Sequence, residues 1–353
     1  MKNRILVVSL HINGGCFQYG NELFSRLKTL CDIYIPNIVT EQLKISRFKK
    51  LLYWKRPTPL RLLSLAWFLV KIVLLGLTGY YKALLLAGFS SWDYYILKAW
   101  KLTGRPSIFV VHDGIMHQGE QNSDNQHKLK YLIQKSTILI FLSEFVRDNV
   151  CEKLHIHKKS IIVPHGLIDY GALPERRRKS GDLPSLLFLG RVSAYKGVDV
   201  LLDAIQAVPD NVYDNLVIAG KWNDEVPSSI PAKTKIIDKW LSTDEIKQFI
   251  ADSDIMIFPY REATQSGVAS LAINYLKPSV VTDAGALPEQ FPARGALFAE
   301  AGDAESLAKA ITALCKDESL RKSQMTELSS TRCSLDWDEI AYELDNDLKT
   351  LLK

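Results

Sequence analysis

Short apolar runs alternate with longer amphipathic stretches along most of this chain of 353 residues. The apolar runs predict buried strands, and the stretches between them predict helices. The predicted strands cover residues 5–10, 33–36, 94–97, 107–111, 138–142 and 161–163, and then 186–189, 216–219, 235–237, 255–258 and 279–282. This alternation is typical of an α/β fold whose parallel sheets are covered by helices on both faces.

A charged stretch at residues 175–182 separates the two series of predicted strands. It contains Gly181 and shows no apolar period, as expected of a linker. A chain of this length also exceeds what a single core usually serves. We therefore expect two Rossmann-like domains facing a central cleft, with ligands beyond the carboxyl ends of the strands. The expected divisions are residues 1–174, a linker at 175–184, residues 185–335 and a final amphipathic helix at 336–353.

Motif spacing argues against several chemistries. Residues 11–20, after the first predicted strand, lack the G-x-G-x-x-G of a dinucleotide oxidoreductase. The five cysteines form no C-x-x-C pair and the histidines show no ligand spacing, so we predict reduced thiols and no metal site. Asp252 and Asp254 form a D-x-D pair, but they precede a predicted strand, away from the binding edge. We expect this pair to end a helix and begin that strand.

Positive charge is concentrated in residues 42–92, which hold nine basic and no acidic side chains. Outside this window, acidic residues outnumber basic ones. Within 43–88 the cations alternate with aromatic and aliphatic residues, and the uncharged run 62–70 ends at Lys71, short of the about 20 residues that a membrane span needs. The pattern predicts an interfacial helix that contacts anionic headgroups. The alternative is a buried helix beside a solvated basic face.

Two loops, each at the carboxyl end of a predicted strand, carry residues suited to binding an anion. Arg191 follows the strand at 186–189, and Lys196 precedes the next helix. A guanidinium fork and an ammonium group together suit a diphosphate, although the same spacing also fits two cations that solvate a loop.

The second loop follows the strand at 255–258. A helix is predicted to begin at Thr264, which would cap it, so that Gln265, Ser266 and Gly267 would present backbone N–H groups to an anion. The alternative is a well-capped helix without a ligand.

The motifs FLGRVSAYKG at 188–197 and FPYREATQSGVASLAINYLKPSVVTDAGALPE at 258–289 resemble retaining glycosyltransferases of the GT-B fold, in the family known as glycosyl transferases group 1. VVHDG at 110–114, VPHGL at 163–167 and SLDWDEIAYEL at 334–344 extend the resemblance over most of the chain. It implies two Rossmann-like domains, with a C-terminal helix that crosses back to the N-terminal domain.

The resemblance also implies roles for matching residues. Arg191 and Lys196 would neutralise the donor diphosphate as charge develops, and His112 would lie near the transferred sugar. The alternative for His112 is a histidine satisfied at a strand end. The residues expected to contact the donor are Gly14, Gly15, Arg191, Lys196, Thr264, Gln265, Ser266, Gly267, Val268 and Glu289.

The chain departs from the family pattern at two positions. The family carries two glutamates separated by seven residues where this chain has Thr264 and Ala272. Neither side chain can act as a carboxylate, so we expect Glu262 to contact the sugar instead and count it, with His112, Arg191 and Lys196, among the catalytic candidates.

Together these features predict a nucleotide-sugar-dependent hexosyltransferase that is retaining and metal-independent, has no cofactor, and acts in bacterial surface polysaccharide synthesis. Its expected partners are the nucleotide-diphosphate sugar, a saccharide or polyprenyl-diphosphate-linked saccharide acceptor and an anionic membrane surface, but no nucleic acid. The expected location is cytoplasmic, on the inner face of the plasma membrane. The alternative is a catalytically inactive, membrane-associated scaffold that keeps the fold.

Overall fold

A computed structural model describes residues 4–12, 14–39, 43–52, 59–112, 123–177, 183–223, 225–227 and 229–351. The chain divides into two compact units. The first unit comprises Met1–Gly166 and Leu335–Lys353, and the second comprises Leu167–Ser334.

The first unit is built on a parallel sheet of seven strands in the order β3-β2-β1-β4-β5-β6-β7. The strands are β1 Ile5–Val8, β2 Cys31–Pro36, β3 Phe48–Leu51, β4 Ala83–Leu86, β5 Ser107–Val111, β6 Ile138–Phe141 and β7 Ser160–Ile162. The helices are α1 Gly14–Arg26, α2 Pro59–Leu77, α3 Asp93–Trp100, α4 Ser123–Lys135 and α5 Glu144–Leu154. The central strands are buried on both faces, as their continuous apolar runs predict.

The strand predicted at 94–97 is wrong, because these residues lie within α3. Ile96, Leu97 and Trp100 are buried while Tyr95 is exposed, which is a helical pattern. The sheet takes its fourth strand from Ala83–Leu86 instead, inside the basic window.

The last helix of the chain, α12 at Trp337–Leu351, belongs to the first unit. The Asp345 carboxylate accepts hydrogen bonds from the backbone N–H groups of Lys28 and Thr29, at 2.7 and 3.0 Å. Trp337 packs on Gly166, where a Cβ would lie 2.5 Å from the indole ring. The implied return of the C-terminal helix to the N-terminal unit is confirmed.

The second unit contains a parallel sheet of six strands in the order β10-β9-β8-β11-β12-β13. The strands are β8 Leu186–Leu189, β9 Leu216–Ala219, β10 Thr234–Ile237, β11 Ile255–Phe258, β12 Ser279–Thr282 and β13 Leu297–Ala299. The helices are α6 Val198–Ala207, α7 Thr243–Asp252, α8 Gly267–Asn274, α9 Leu287–Gln290, α10 Ala304–Lys316 and α11 Glu318–Thr331.

The aspartate pair lies at the amino edge of this sheet. Asp252 ends α7, and Asp254 immediately precedes β11. Asp254 forms two hydrogen bonds of 2.6 Å with the Arg176 guanidinium, and the backbone N–H of Arg177 donates to Asp252. The pair therefore has the structural role expected of it, and it holds the described start of the 175–184 segment beside the end of α7 and the start of β11.

In each sheet the strand order reverses beside the unit's first strand. The reversal falls between β1 and β4 in the first unit and between β8 and β11 in the second. Parallel sheets bind ligands at such switch points, beyond the carboxyl ends of the strands. The loops that follow these four strands are therefore the places to look for a site.

Candidate functional site

At the switch point of the second sheet, two glycines allow the backbone to pass closely behind Arg191. Gly190 follows β8 with φ +121°, and Gly220 follows β9 with φ +149°. A Cβ at Gly220 would lie 2.0 Å from the carbonyl oxygen of Gly190. Arg191 lies two residues after β8, at the carboxyl end where the sequence placed it, and it is exposed.

Lys196 is held at the same switch point by a turn of 3-10 helix, Ala194–Lys196. Gly197 ends the turn with φ +63°, and a Cβ there would lie 1.9 Å from the carbonyl oxygen of Pro259. This close approach brings the Lys196 ammonium to 3.7 Å from the centroid of the Tyr260 ring. Burial lowers the pKa of Lys196 to about 8, and the nearby charge of Arg191 also lowers it.

The loop after β11 is joined to the Lys196 turn by hydrogen bonds. The backbone N–H of Arg261 donates to the carbonyl oxygen of Tyr195 at 2.8 Å, and the N–H of Glu262 donates to the same oxygen at 3.4 Å. Arg261 also forms two hydrogen bonds of 2.6 Å with the Asp199 carboxylate at the start of α6. The exposed Glu262 is thereby fixed beside the turn that carries Lys196.

The predicted start of the next helix needs correction. The helix α8 begins at Gly267 and its cap is Ser266, whose hydroxyl accepts from the N–H of Ala269 at 3.3 Å. Thr264 lies two residues before that cap. The N–H of Ser266 donates to Oε1 of Gln290 at 2.9 Å, so it is engaged within the protein rather than presented to an anion. Of the predicted amides, those of Gly267 and Val268 belong to the first helical turn, which is the positive end of the helix dipole.

Three buried polar atoms near this edge lack a hydrogen-bond partner among the described residues: Ser193 Oγ, Trp222 Nε1 and Gln265 Nε2. They follow β8, β9 and β11 respectively. Buried polar atoms are rarely left unpaired, so a cluster of them at a switch point marks a ligand site. Sequence reasoning named Gln265 for its backbone only and missed Ser193 and Trp222. The available signal was their position just after a predicted strand.

The two positions without the family's glutamates differ in environment. Ala272 is fully buried in α8, whereas Thr264 is half-buried in the loop before it. Glu289 lies in the short helix α9 and is exposed. The structure therefore offers Glu262 and Glu289 as exposed carboxylates on the two segments that flank α8.

The first unit presents glycines and histidines at its own switch point. Gly14 and Gly15 begin α1, and a Cβ at either position would meet no atom within 4 Å. The backbone at these two glycines is therefore sterically accessible, as the predicted close approach of a ligand requires.

His112 follows β5 and contacts Ala87, the residue after β4, through a 3.0 Å hydrogen bond between Nε2 and the carbonyl oxygen. Its ring and the Tyr19 ring are nearly perpendicular, with their centroids 4.9 Å apart. Burial lowers the pKa of His112 to about 4, so the ring is neutral at pH 7. Because a carbonyl only accepts, Nε2 carries the proton and Nδ1 is left as an acceptor. Asp113 and Gly114 of the VVHDG motif lie outside the described residues.

The second unit therefore holds two cations, a helix N-terminus and unpaired polar atoms at one switch point, which is the composition of a diphosphate site. Two Rossmann-like units of this topology, with the last helix returned to the first, define the GT-B fold. Residues 183–317 match the family described as glycosyl transferases group 1.

Known proteins resemble the chain at low identity. An uncharacterized glycosyltransferase of Methanocaldococcus jannaschii is 25% identical over 221 residues, which are 62% of this chain and 60% of that protein. An uncharacterized 41.2 kDa protein of the Klebsiella pneumoniae cps region is 27% identical over 105 residues, 30% of this chain and 29% of that protein. The chain thus matches less than two thirds of each relative. The structure of Anabaena HepE in complex with UDP and glucose superposes with a TM-score of 0.70 at 14% identity, covering 99% of this chain and 100% of that one.

Proposed function

We propose that this protein transfers a hexosyl group from a nucleotide-diphosphate sugar to a saccharide acceptor. The observation that carries the proposal is the position of Lys196, held over Tyr260 at the switch point where Arg191 also lies. The family match and the UDP and glucose in the Anabaena protein support a nucleotide-sugar donor.

The proposed reaction breaks the bond between the anomeric carbon and the diphosphate oxygen. The acceptor hydroxyl oxygen forms the new bond on the same face, with retention, and its proton passes to the departing phosphate oxygen. Arg191, Lys196 and the N–H groups at the start of α8 stabilise the negative charge of the leaving diphosphate. Since these groups supply the compensating positive charge, we propose that no bound metal is needed.

Other side chains are assigned to the sugar. Glu262, fixed beside the Lys196 turn, accepts hydrogen bonds from sugar hydroxyls in place of the missing family glutamate. His112 is assigned to the transferred sugar, with Nδ1 as the acceptor.

Donor turnover by Arg191→Ala and Lys196→Ala tests the proposal. Each variant should reduce kcat/KM for the donor by about 100-fold or more, since each removes a charged contact to the leaving group. Lys309→Ala is the matched control, because Lys309 is an exposed lysine of α10 that forms an ion pair with the exposed Glu305. Turnover by the two site variants equal to that of Lys309→Ala would refute the assignment.

An inactive scaffold is the second candidate. One observation favours it: Ala272, at a position where the family has a glutamate, is fully buried in α8. Calorimetry separates the two, because a scaffold without a donor site should not bind UDP- or GDP-sugars. A wild-type protein that binds no nucleotide sugar and transfers none would favour the scaffold.

We further propose that the acceptor is lipid-linked and that the first unit docks on an anionic membrane. The support comes from α2, which carries two apolar stripes. Leu65, Phe68, Ile72 and Gly76 are buried against the unit. A second stripe is exposed, and it consists of Leu60, Leu62, Leu63, Trp67, Val70, Leu74 and Leu77.

The helix α2 is continuous through Arg61 and Lys71, the residue that ends the uncharged run 62–70. Its 19 residues, of mean hydropathy 2.1, meet the length and composition of a membrane span. Its packed stripe favours the interfacial orientation instead, because Phe68 and Ile72 are part of the core of the first unit.

Cations lie beside the exposed stripe. The Lys71 ammonium is 4.7 Å from the Trp67 ring centroid, an arrangement suited to the headgroup boundary. Lys50 on β3 is exposed, whereas Lys49 forms a 2.8 Å ion pair with Asp32. Lys55 and Arg56 lie outside the described residues. This surface, with the relative from the cps region, supports a peripheral enzyme of surface polysaccharide synthesis on the inner face of the plasma membrane.

A further inference from the structure

His11 lies at the switch point of the first sheet, just after β1. It is next to Gly88, which follows the neighbouring strand β4. A Cβ at Gly88 would lie 2.6 Å from His11 Nε2 and 3.2 Å from His112 Cδ2. Glycine at this position therefore leaves the space in which the two imidazole rings are placed side by side.

The Nε2 atom of His11 is buried and has no hydrogen-bond partner among the described residues. Two other buried histidines in the described part of this unit, His112 and His165, are paired through a ring nitrogen. His112 Nε2 contacts the carbonyl oxygen of Ala87 at 3.0 Å, and His165 Nδ1 contacts that of Gly166 at 2.6 Å. An unpaired buried nitrogen at a ligand-binding edge is an unusual feature that needs an occupant.

The chemistry of the ring selects the kind of occupant. Burial and, to a smaller extent, the neighbouring His112 lower the pKa of His11 to about 4, so the ring carries no charge at pH 7. A neutral imidazole nitrogen offers little to a phosphate, which is better met by cations. It pairs well with a hydroxyl, because a hydroxyl can donate to the nitrogen or accept from it in either tautomer.

We propose that His11 Nε2 forms a hydrogen bond with a saccharide hydroxyl during the glycosyl transfer described under Proposed function, on which this assignment rests. The hydroxyl belongs either to the transferred sugar or to the acceptor. His11 is then a substrate-binding residue at the first unit's switch point, and Gly88 is the residue that makes room for it.

Kinetics of three variants test this assignment. His11→Phe keeps a planar ring without nitrogen, and we expect kcat/KM to fall about 10- to 100-fold, as for a lost hydrogen bond to substrate. His11→Gln restores a polar nitrogen of similar reach and should recover much of that loss. Gly88→Ala places a methyl group 2.6 Å from Nε2, which displaces the imidazole ring, and it should resemble His11→Phe.

The source of the hydroxyl follows from which substrate is affected. If only kcat/KM for the donor falls, the hydroxyl belongs to the transferred sugar. If only kcat/KM for the acceptor falls, the hydroxyl belongs to the acceptor. The affinity for UDP alone should be unchanged, because UDP lacks the sugar. His157→Phe is the matched control, since His157 is exposed and precedes β7 at the opposite edge of the sheet.

Thermal unfolding separates a binding role from a structural one. Removal of an unpaired buried nitrogen should leave the melting temperature of His11→Phe equal to or above that of the wild type, while turnover falls. Wild-type kinetic constants for both substrates in His11→Phe would overturn the assignment. A wild-type protein that neither binds nor turns over a nucleotide sugar would instead overturn the proposed function itself.

Discussion

The Lys196 ammonium lies 3.7 Å from the centroid of the Tyr260 ring. The contact is possible because Gly197 has no side chain, which lets the Lys196 turn approach the Pro259 backbone. The Tyr260 hydroxyl is 3.2 Å from the Ser266 hydroxyl, which caps α8. One tyrosine therefore links the buried cation to the helix N-terminus. Because the face of an aromatic ring attracts a cation, it offsets part of what Lys196 loses on leaving water.

The aromatic ring should matter more than the hydroxyl. Tyr260→Leu removes the ring, so Lys196 loses its contact, and we expect kcat/KM for the donor to fall about tenfold. Tyr260→Phe keeps the ring and loses only the contact with Ser266, so it should stay within about threefold of the wild type. Equal losses in the two variants would show that the ring does not hold the cation. Steady-state kinetics with the donor varied gives both values.

Nucleotide affinity should depend on pH through Lys196. Its lowered pKa of about 8 means that the ammonium is charged below pH 8 and loses its proton above it. A diphosphate binds the charged form, so the affinity should be constant below pH 8 and weaken by up to about tenfold for each pH unit above it. Calorimetry with UDP between pH 6.5 and pH 9.5 measures this profile. These two pH values lie about 1.5 units on either side of the pKa of Lys196.

The same titration on Lys196→Ala is the control. That variant should bind more weakly at pH 7 and show no break near pH 8. A break that persists in Lys196→Ala would assign the titration to another group.

Gly197 should be intolerant of a side chain for two separate reasons. Its φ of +63° disfavours any other residue, and a Cβ would lie 1.9 Å from the Pro259 carbonyl oxygen. Gly171 has a similar φ of +79° in the same unit but nothing within 4 Å. Gly171→Ala should therefore cost about 1 kcal/mol of unfolding free energy from backbone strain alone. Gly197→Ala should cost more than about 3 kcal/mol, since Pro259 must also move.

Chemical denaturation followed by circular dichroism compares the two alanine variants. Gly197→Ala should also lose donor turnover, because the turn that carries Lys196 and the loop that carries Tyr260 are pushed apart. Equal unfolding free energies for the two variants would contradict the steric part of this argument.

The elements buried on both faces could be predicted from the sequence because their apolar runs are continuous. The strands at 107–111, 186–189, 216–219 and 255–258 match the structure, and so does the placement of Arg191 and Lys196 after β8. The error at 94–97 arose in the apolar region before it, where α2 and β4 both consist largely of apolar residues. The break between them is marked only by Gly79, with φ +78°.

Contacts between distant residues could not be predicted. Thr264 and Ser266 are both suitable caps by residue type. In the structure Ser266 is held by contacts with Tyr260 and with Gln290, 24 residues away. The unpaired nitrogen of His11 likewise depends on Gly88, which only the pairing of β1 with β4 brings beside it. No spacing rule in the sequence reports such tertiary neighbours.

The exposed stripe of α2 should bind anionic membranes. Trp67 is 63% exposed on this stripe, and Trp240 is 74% exposed in the second unit. Trp67→Ser removes a large apolar side chain from the proposed contact, so the fraction that sediments with vesicles of anionic lipid should fall by about tenfold. Trp240→Ser, which removes the same group from a surface outside the proposed contact, should sediment like the wild type. Vesicles of neutral lipid should bind the wild type more weakly, because Lys50 and Lys71 then lack anionic partners. Sedimentation of Trp67→Ser equal to that of Trp240→Ser would rule out this stripe as the membrane contact.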